Sequence, residues 1–167
     1  MTDKPIRLIT TGGTIDETGQ DAEGMSLFSE THVGEMLRDA TVSIPVLVEV
    51  AMLKESRRMT DADREVIARR CKESPEDRIL ITHGTYTMAD TARYLAERIS
   101  DKTIVLFGSL VPFTKEKSEA VSNLQFALDS LQKLPVGVYV AMEERVFNWD
   151  NLTKNPQTGT FETISED

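Results

Sequence analysis

Short apolar runs separated by longer amphipathic stretches constrain the fold of this chain most. Ile6–Thr10, Ile79–Thr82, Ile104–Phe107 and Val136–Met142 are four to seven residues long. That is the length of buried strands and far short of a membrane span. Val42, Ile44, Val46, Val48 and Val50 alternate strictly, which predicts another strand. Pro45 within it removes a ladder donor and points to an edge or irregular position. Between the runs, apolar residues recur at helical spacing. Glu30–Arg38 predicts a short helix. Thr60 and Asp63 form a variant capping box ahead of Val66, Ile67 and Cys71. Met88, Ala92, Leu95 and Ile99 share one face of a helix running from Thr87 to Arg98, with Thr87 as its N-cap. Ala120, Leu124, Ala127 and Leu131 do the same over Ser118–Leu131. Residues 16–28 hold Asp16, Gly19 and Gly24 with little periodicity and read as a mobile loop. Residues 143–167 read as a hairpin or short strands. The predicted fold class is therefore α/β, a mostly parallel sheet with helices on both faces. In such sheets ligands sit beyond the carboxyl ends of the strands. The loops to watch are 11–28, 53–59, 83–87 and 108–117.

Composition narrows the function classes. A length of 167 residues fits one domain spanning 1–167. With 19 Lys+Arg against 28 Asp+Glu the formal charge is −9. The basic footprint that nucleic acid or an anionic membrane requires is missing, so neither partner is expected. One cysteine, Cys71, allows no intrachain disulfide, and the N-terminus has no apolar stretch of the signal-peptide kind, so a cytoplasmic location is expected. His32 and His83 are the only histidines. No metal site and no cofactor are expected.

Three segments carry candidate chemistry. In Thr10-Thr11-Gly12-Gly13-Thr14-Ile15 a strand ends in a double glycine, which lets backbone N–H groups approach a small ligand. A plain turn with a capping threonine would look the same. In Thr82-His83-Gly84-Thr85-Tyr86-Thr87-Met88 a strand again ends at a glycine and a helix begins. The free N–H groups there suit a carboxylate or an oxyanion. Capping explains Thr87 but not Thr85. In Thr153-Lys154 a lysine whose charge is disfavoured by burial can act as a base toward a hydroxyl. Taken alone, a solvated surface lysine is the simpler reading.

Combined and in this order, the segments resemble the bacterial-type asparaginase/glutaminase family over nearly the whole chain. Thr11–Ile15 resembles its Thr-Gly-Gly-Thr-Ile signature. Thr82–Met88 resembles Thr-His-Gly-Thr-Asp-Thr-Met with one change. Gly108–Pro112 resembles its Gly-Ala-Met-Arg-Pro loop. Ser118-Glu119-Ala120 with Asn123-Leu124, and Thr153-Lys154 with Phe161, resemble the segments that follow. The resemblance implies a Rossmann- or flavodoxin-like domain that hydrolyses L-asparagine, or glutamine, to the acid and ammonia. It implies Thr14 as nucleophile, Thr85 as the second threonine activated by Lys154, Ser56 as a ligand of the substrate α-carboxylate, and substrate contacts from Gly13, Arg57, Tyr86 and Ser109. Family habit implies a homodimer. Lys102, Lys115 and Lys117 are rival bases: Lys102 precedes a strand, at the wrong end of the sheet, whereas Lys115 and Lys117 lie on a loop at the correct end and only the resemblance sets them aside.

Two departures stand out. Tyr86 replaces the family aspartate that pairs with the α-ammonium, and such a charge-assisted bond is worth roughly 1.5–3 kcal/mol. Asp16, Asp21, Glu116 and Glu119 are candidates to compensate, with Glu119 reading as structural. Arg57 adds a cation where many members carry Gln or Ser. The pair points either to altered substrate choice or to a slow asparaginase. A catalytically weak or non-catalytic asparaginase-like protein that binds an amino acid or a dicarboxylate is the alternative. The family's C-terminal domain is expected to be absent.

Overall fold

The computed structural model describes residues 4–165; residues 1–3 and 166–167, the ends of the expected domain, lie outside the described residues. Strand β1 (Ile6–Gly12) is followed by a 3-10 turn at Thr14–Asp16, a small hairpin of β2 (Gly19–Gln20) and β3 (Ser26–Leu27), and helix α1 (Val33–Asp39). Then come β4 (Val46–Lys54), α2 (Asp61–Glu73), β5 (Arg78–Thr82), α3 (Met88–Ala96), β6 (Thr103–Phe107), α4 (Ala120–Lys133), β7 (Gly137–Met142), β8 (Arg145–Asn148), β9 (Thr153–Lys154) and β10 (Phe161–Glu162). The main sheet has the order β4-β1-β5-β6-β7-β8. All its neighbours pair parallel except β8, which returns antiparallel on β7.

Both faces of the sheet are covered, and alternation along the strands decides which face each residue feeds. Ile9, Ile79, Ile81 and Ile104 meet Ile67, Cys71, Met88 and Leu95 from α2 and α3. Ile6, Leu8, Leu80, Val105 and Phe107 meet Met36 of α1 and Leu124, Ala127 and Leu131 of α4. The α/β expectation therefore holds. So does the capping box, with the Thr60 hydroxyl accepting from the Asp63 N–H and the Asp63 carboxylate accepting from the Thr60 N–H.

Three expectations need correction. The strict alternation from Val42 predicts a strand that starts too early; β4 begins after Pro45, whose carbonyl accepts from the Ile6 N–H, and it runs on to Lys54. Its edge position is as expected. Residues 16–28 are not a featureless loop but contain the β2–β3 hairpin, whose turn is tied by the Asp21 carboxylate accepting from the Glu23 and Met25 N–H groups. Thr87 precedes α3 but makes no side-chain cap; its hydroxyl donates instead to the Ser56 carbonyl at 2.9 Å.

The strand order sets the site. The chain leaves β1 toward α1 on one face, and leaves the adjacent β5 toward α3 on the other. Loops that diverge from neighbouring strands open a crevice at the carboxyl edge, the usual ligand position in this architecture.

Candidate active site

The crevice forms because two glycines let backbones touch. Gly13 has φ 87°, and a Cβ there would lie 2.4 Å from the Gly84 nitrogen. Gly12 has φ 99°, and its Cβ would meet the Lys54 nitrogen at 2.3 Å. No side chain fits in either place, and the positive φ favours glycine independently. The Gly13 N–H donates to the Lys54 carbonyl at 3.1 Å. The ends of β1, β4 and β5 are thus held together, and Thr14, Ser56 and Thr85 each stand one or two residues beyond a contact.

Thr85 is buried, and the Lys154 ammonium donates to its Oγ1 at 2.8 Å. The two come from β9 and the β5 loop, 69 residues apart. Short strand β9 is held by antiparallel β10, with Lys154 opposite Phe161, and Phe161 is buried in the core. Desolvation lowers the lysine pKa below its ordinary value, and the nearby Arg57 guanidinium lowers it further against the opposing effect of Glu55. Tyr86, with 56% of its surface exposed, places its ring centroid 4.1 Å from Lys154 Nζ and 4.4 Å from the Arg57 guanidinium carbon. Arg57 is paired with the buried carboxylate of Glu55 and donates to the Gly24 carbonyl at 3.1 Å.

Ser56 is fully buried against Gly84, and its Oγ has no hydrogen-bond partner among the described residues. Buried hydroxyls ordinarily have a partner, and Thr10 Oγ1 likewise has none among the described residues. The Ser109 hydroxyl, by contrast, donates to the Val111 carbonyl within its own loop. An open concavity of about 710 Å³ beside the Thr85–Lys154 pair is lined by Tyr86, Asp90, Arg93 and Phe161 among others; Thr14, Ser56 and Ser109 do not line it. No group of three or more His, Cys, Asp or Glu suited to a metal ion occurs among the described residues.

The candidate compensating carboxylates are mostly committed elsewhere. Asp16 is buried and accepts from the Thr31 hydroxyl and the His32 N–H; desolvation nevertheless keeps its pKa raised. Asp21 closes its hairpin and faces Arg58. Glu119 accepts from the Leu110 and Val111 N–H groups at 3.1 and 3.0 Å, the structural role expected for it. Glu116 is exposed. The rival Lys102 sits at the amino end of β6 and donates to the Ser74 and Glu76 carbonyls, both at 2.8 Å.

Two features escaped the sequence reading. Glu55 lies in the charged run Lys54-Glu-Ser-Arg-Arg58, which looks like solvated surface, yet it is buried. A buried brace also runs behind the β5 loop. Arg64 Nε donates to Thr91 Oγ1 (3.0 Å), Thr91 donates to His83 Nε2 (2.7 Å), and His83 Nδ1 donates to the Gly84 carbonyl (2.7 Å). The carbonyl can only accept, which assigns the proton to Nδ1. Complete burial pushes the His83 pKa down to about 4, with Arg64 lowering it further and the Gly84 bond opposing.

The fold and this geometry define an α/β domain with a threonine–lysine pair at its switch point. The chain belongs to the asparaginase family: the family description "Asparaginase, N-terminal" matches residues 5–166. It is 30% identical over 169 residues to the "Probable L-asparaginase periplasmic" of Haemophilus influenzae, covering 92% of this chain and 47% of the relative. It is 29% identical over 174 residues to the "Glutaminase-asparaginase" of Acinetobacter glutaminasificans, covering 96% and 53%. The solved structure of the thermostable L-asparaginase from Thermococcus kodakarensis superposes with TM-score 0.83 at 27% identity, covering 96% of this chain and 51% of that one. The chain spans about half the length of the curated relatives it matches.

Proposed function

We infer that this chain is an amidohydrolase of asparaginase type, acting on a linear side-chain amide such as that of asparagine or glutamine. The observation that carries the reading is the 2.8 Å contact of Lys154 Nζ with Thr85 Oγ1, in surroundings that disfavour the lysine's charge. Threonine is a poor nucleophile without a base, and a lysine that loses its proton easily is such a base. Once neutral, Lys154 accepts the proton of the Thr85 hydroxyl instead of donating to it.

The chemistry assigned to these residues runs in two steps. Thr14 Oγ attacks the amide carbon as its proton passes to the Thr85–Lys154 pair; the pair hands that proton to the nitrogen, the C–N bond breaks and ammonia leaves. A water then attacks the resulting ester and gives one proton to the pair, which passes it to Thr14 Oγ as the acyl–oxygen bond breaks, and the departing acid gives its remaining proton to ammonia, leaving carboxylate and ammonium. Each tetrahedral oxyanion needs a donor, and the Thr85 N–H at the β5 exit is assigned that role; losing one such donor costs on the order of 10²–10³ in rate. Gly13 and Ser109 are assigned backbone contacts, and Ser56 Oγ the substrate carboxylate.

A cytoplasmic homodimer is part of this proposal. No helix among the described residues is long and apolar enough to cross a membrane. Leu47, Val48 and Val50, exposed along the β4 edge, are apolar surface that a second copy would cover. Sedimentation at micromolar concentration checks the oligomeric state.

The test is ammonia release from asparagine with Thr14→Ala as control. A fall of about 10³-fold or more is expected on losing the nucleophile. Unchanged turnover in Thr14→Ala would overturn that assignment. Aspartate binding without turnover on any amide would favour the non-catalytic reading.

A further inference from the structure

Few contacts aim the Lys154 side chain. Its ammonium carries three donors, and among the described residues one of them finds an acceptor, Thr85 Oγ1 at 2.8 Å. A flexible four-carbon stem is not fixed by one bond to a hydroxyl that can itself rotate. The other close neighbour of Nζ is the Tyr86 ring, whose centroid lies 4.1 Å away. That ring is held more firmly than its exposure suggests. Thr85, just before it, is buried, and Thr87, just after it, donates its hydroxyl to the Ser56 carbonyl at 2.9 Å. The Arg57 guanidinium carbon sits 4.4 Å from the ring centroid, and Arg57 is in turn held by Glu55 and the Gly24 carbonyl. A connected row therefore runs from buried Glu55 through Arg57 and Tyr86 to Lys154 and Thr85.

We propose that Tyr86 is a positioning residue, whose ring face holds Lys154 Nζ against Thr85 Oγ1. The proposal rests on the reading of Lys154 as the base of an amidohydrolase and deepens it. A π-face attracts an ammonium within about 6 Å of its centroid, yet it carries no net charge and takes no proton. A carboxylate in the same place would also hold the lysine, but an opposite charge favours the protonated form. The ring keeps Nζ in place while leaving it free to become neutral. Once the proton has left, the same face remains as a wall on which the apolar stem packs. The ring is 56% exposed and lines the concavity beside the pair, so its removal empties no core.

Ammonia release from asparagine and glutamine by Tyr86→Phe and Tyr86→Leu tests the role on the full chain. Phenylalanine keeps the face, so kcat should stay near that of the unaltered chain. Leucine keeps bulk without the face, so kcat should fall about 10-fold or more while KM stays within a few-fold, the pattern of a displaced base. Full kcat in Tyr86→Leu overturns the proposal. So does an equal fall in both variants, which would point to the hydroxyl instead of the face. A second measurement needs no turnover. Acetic anhydride labelling of Lys154, read by peptide mass spectrometry over a series of alkaline pH values, separates access to Nζ from its proton affinity. The limiting rate at high pH should rise several-fold in Tyr86→Leu and stay level in Tyr86→Phe. Equal limiting rates in all three chains overturn the proposal. The expected labelling pattern with no ammonia released by any of the chains leaves the placement of Lys154 standing and overturns the amidohydrolase reading instead.

Discussion

Two lysines at opposite ends of one sheet show how position decides what an amine does. Lys102, at the amino end of β6, donates to two backbone carbonyls and ties the start of that strand to the α2–β5 turn. Lys154, beyond the carboxyl ends, faces a hydroxyl, an aromatic ring and an arginine, and desolvation lowers its pKa. Carbonyls can only accept, so Lys102 is held as a donor. A hydroxyl can reverse the direction of its bond, so the Lys154 contact survives deprotonation and can move a proton. The amino end is built to stay as it is, and the carboxyl end to change state.

The largest expected effect separates these roles. Lys154→Met should lower ammonia release by about 10³-fold, within the range for a general base, with little change in the denaturation midpoint. Lys102→Met should do the reverse, keeping turnover within a few-fold while costing about 1–3 kcal/mol in urea unfolding, because it strands two carbonyls. Equal kinetic losses in the two variants would break the comparison.

The next effect concerns pH. In the proposed mechanism the base form of Lys154 is the working one, so kcat/KM should rise with pH through a midpoint below the ordinary lysine value of 10.5. Arg57→Ala removes one cause of the lowering and should move that limb to higher pH. A profile unmoved by Arg57→Ala would sever the guanidinium from the lysine.

His83 gives a stability effect at the carboxyl end. Its folded pKa of about 4 lies below the ordinary 6.5, so the unfolded chain binds the extra proton first. Stability from this group is full above pH 6.5 and is lost as pH falls toward 4, by about 3 kcal/mol. Urea unfolding at pH 7 and pH 4.5 reads it, and His83→Gln should flatten the difference.

The smallest effect lies in the β7–β8 hairpin. Glu143 and Glu144 both adopt positive φ, 55° and 61°, as a two-residue turn of this hand requires. Glutamate is poorly suited to that region. Glu144→Gly should raise stability by up to about 1 kcal/mol, read as an increase in Tm.

The architecture was legible in the sequence because it rests on periodicity. A run such as Ile79–Thr82 can bury itself only as a strand covered on both faces, and α3 announces its apolar stripe every third or fourth residue. The clash-free approach of Gly13 to Gly84 was legible as a double glycine at a strand end, although not which backbone it approaches. What failed was local. Val42 and Ile44 share the alternation of β4 but lie outside its ladder, and Thr87 looks like a cap while its hydroxyl serves Ser56. Side-chain hydrogen bonds of that kind depend on neighbours brought in from elsewhere in the chain.

Local sequence therefore determined the layered α/β plan, the glycine turns and the residue types available for chemistry, since all three follow from backbone geometry and apolar burial within short windows. The tertiary structure alone decided which charges meet. Lys154 reaches Thr85 across 69 residues. Glu55 is buried to hold Arg57, and Arg64 reaches Gly84 only through Thr91 and His83. Electrostatic pairing depends on distance and desolvation in three dimensions, and neither quantity is written in the order of residues along the chain.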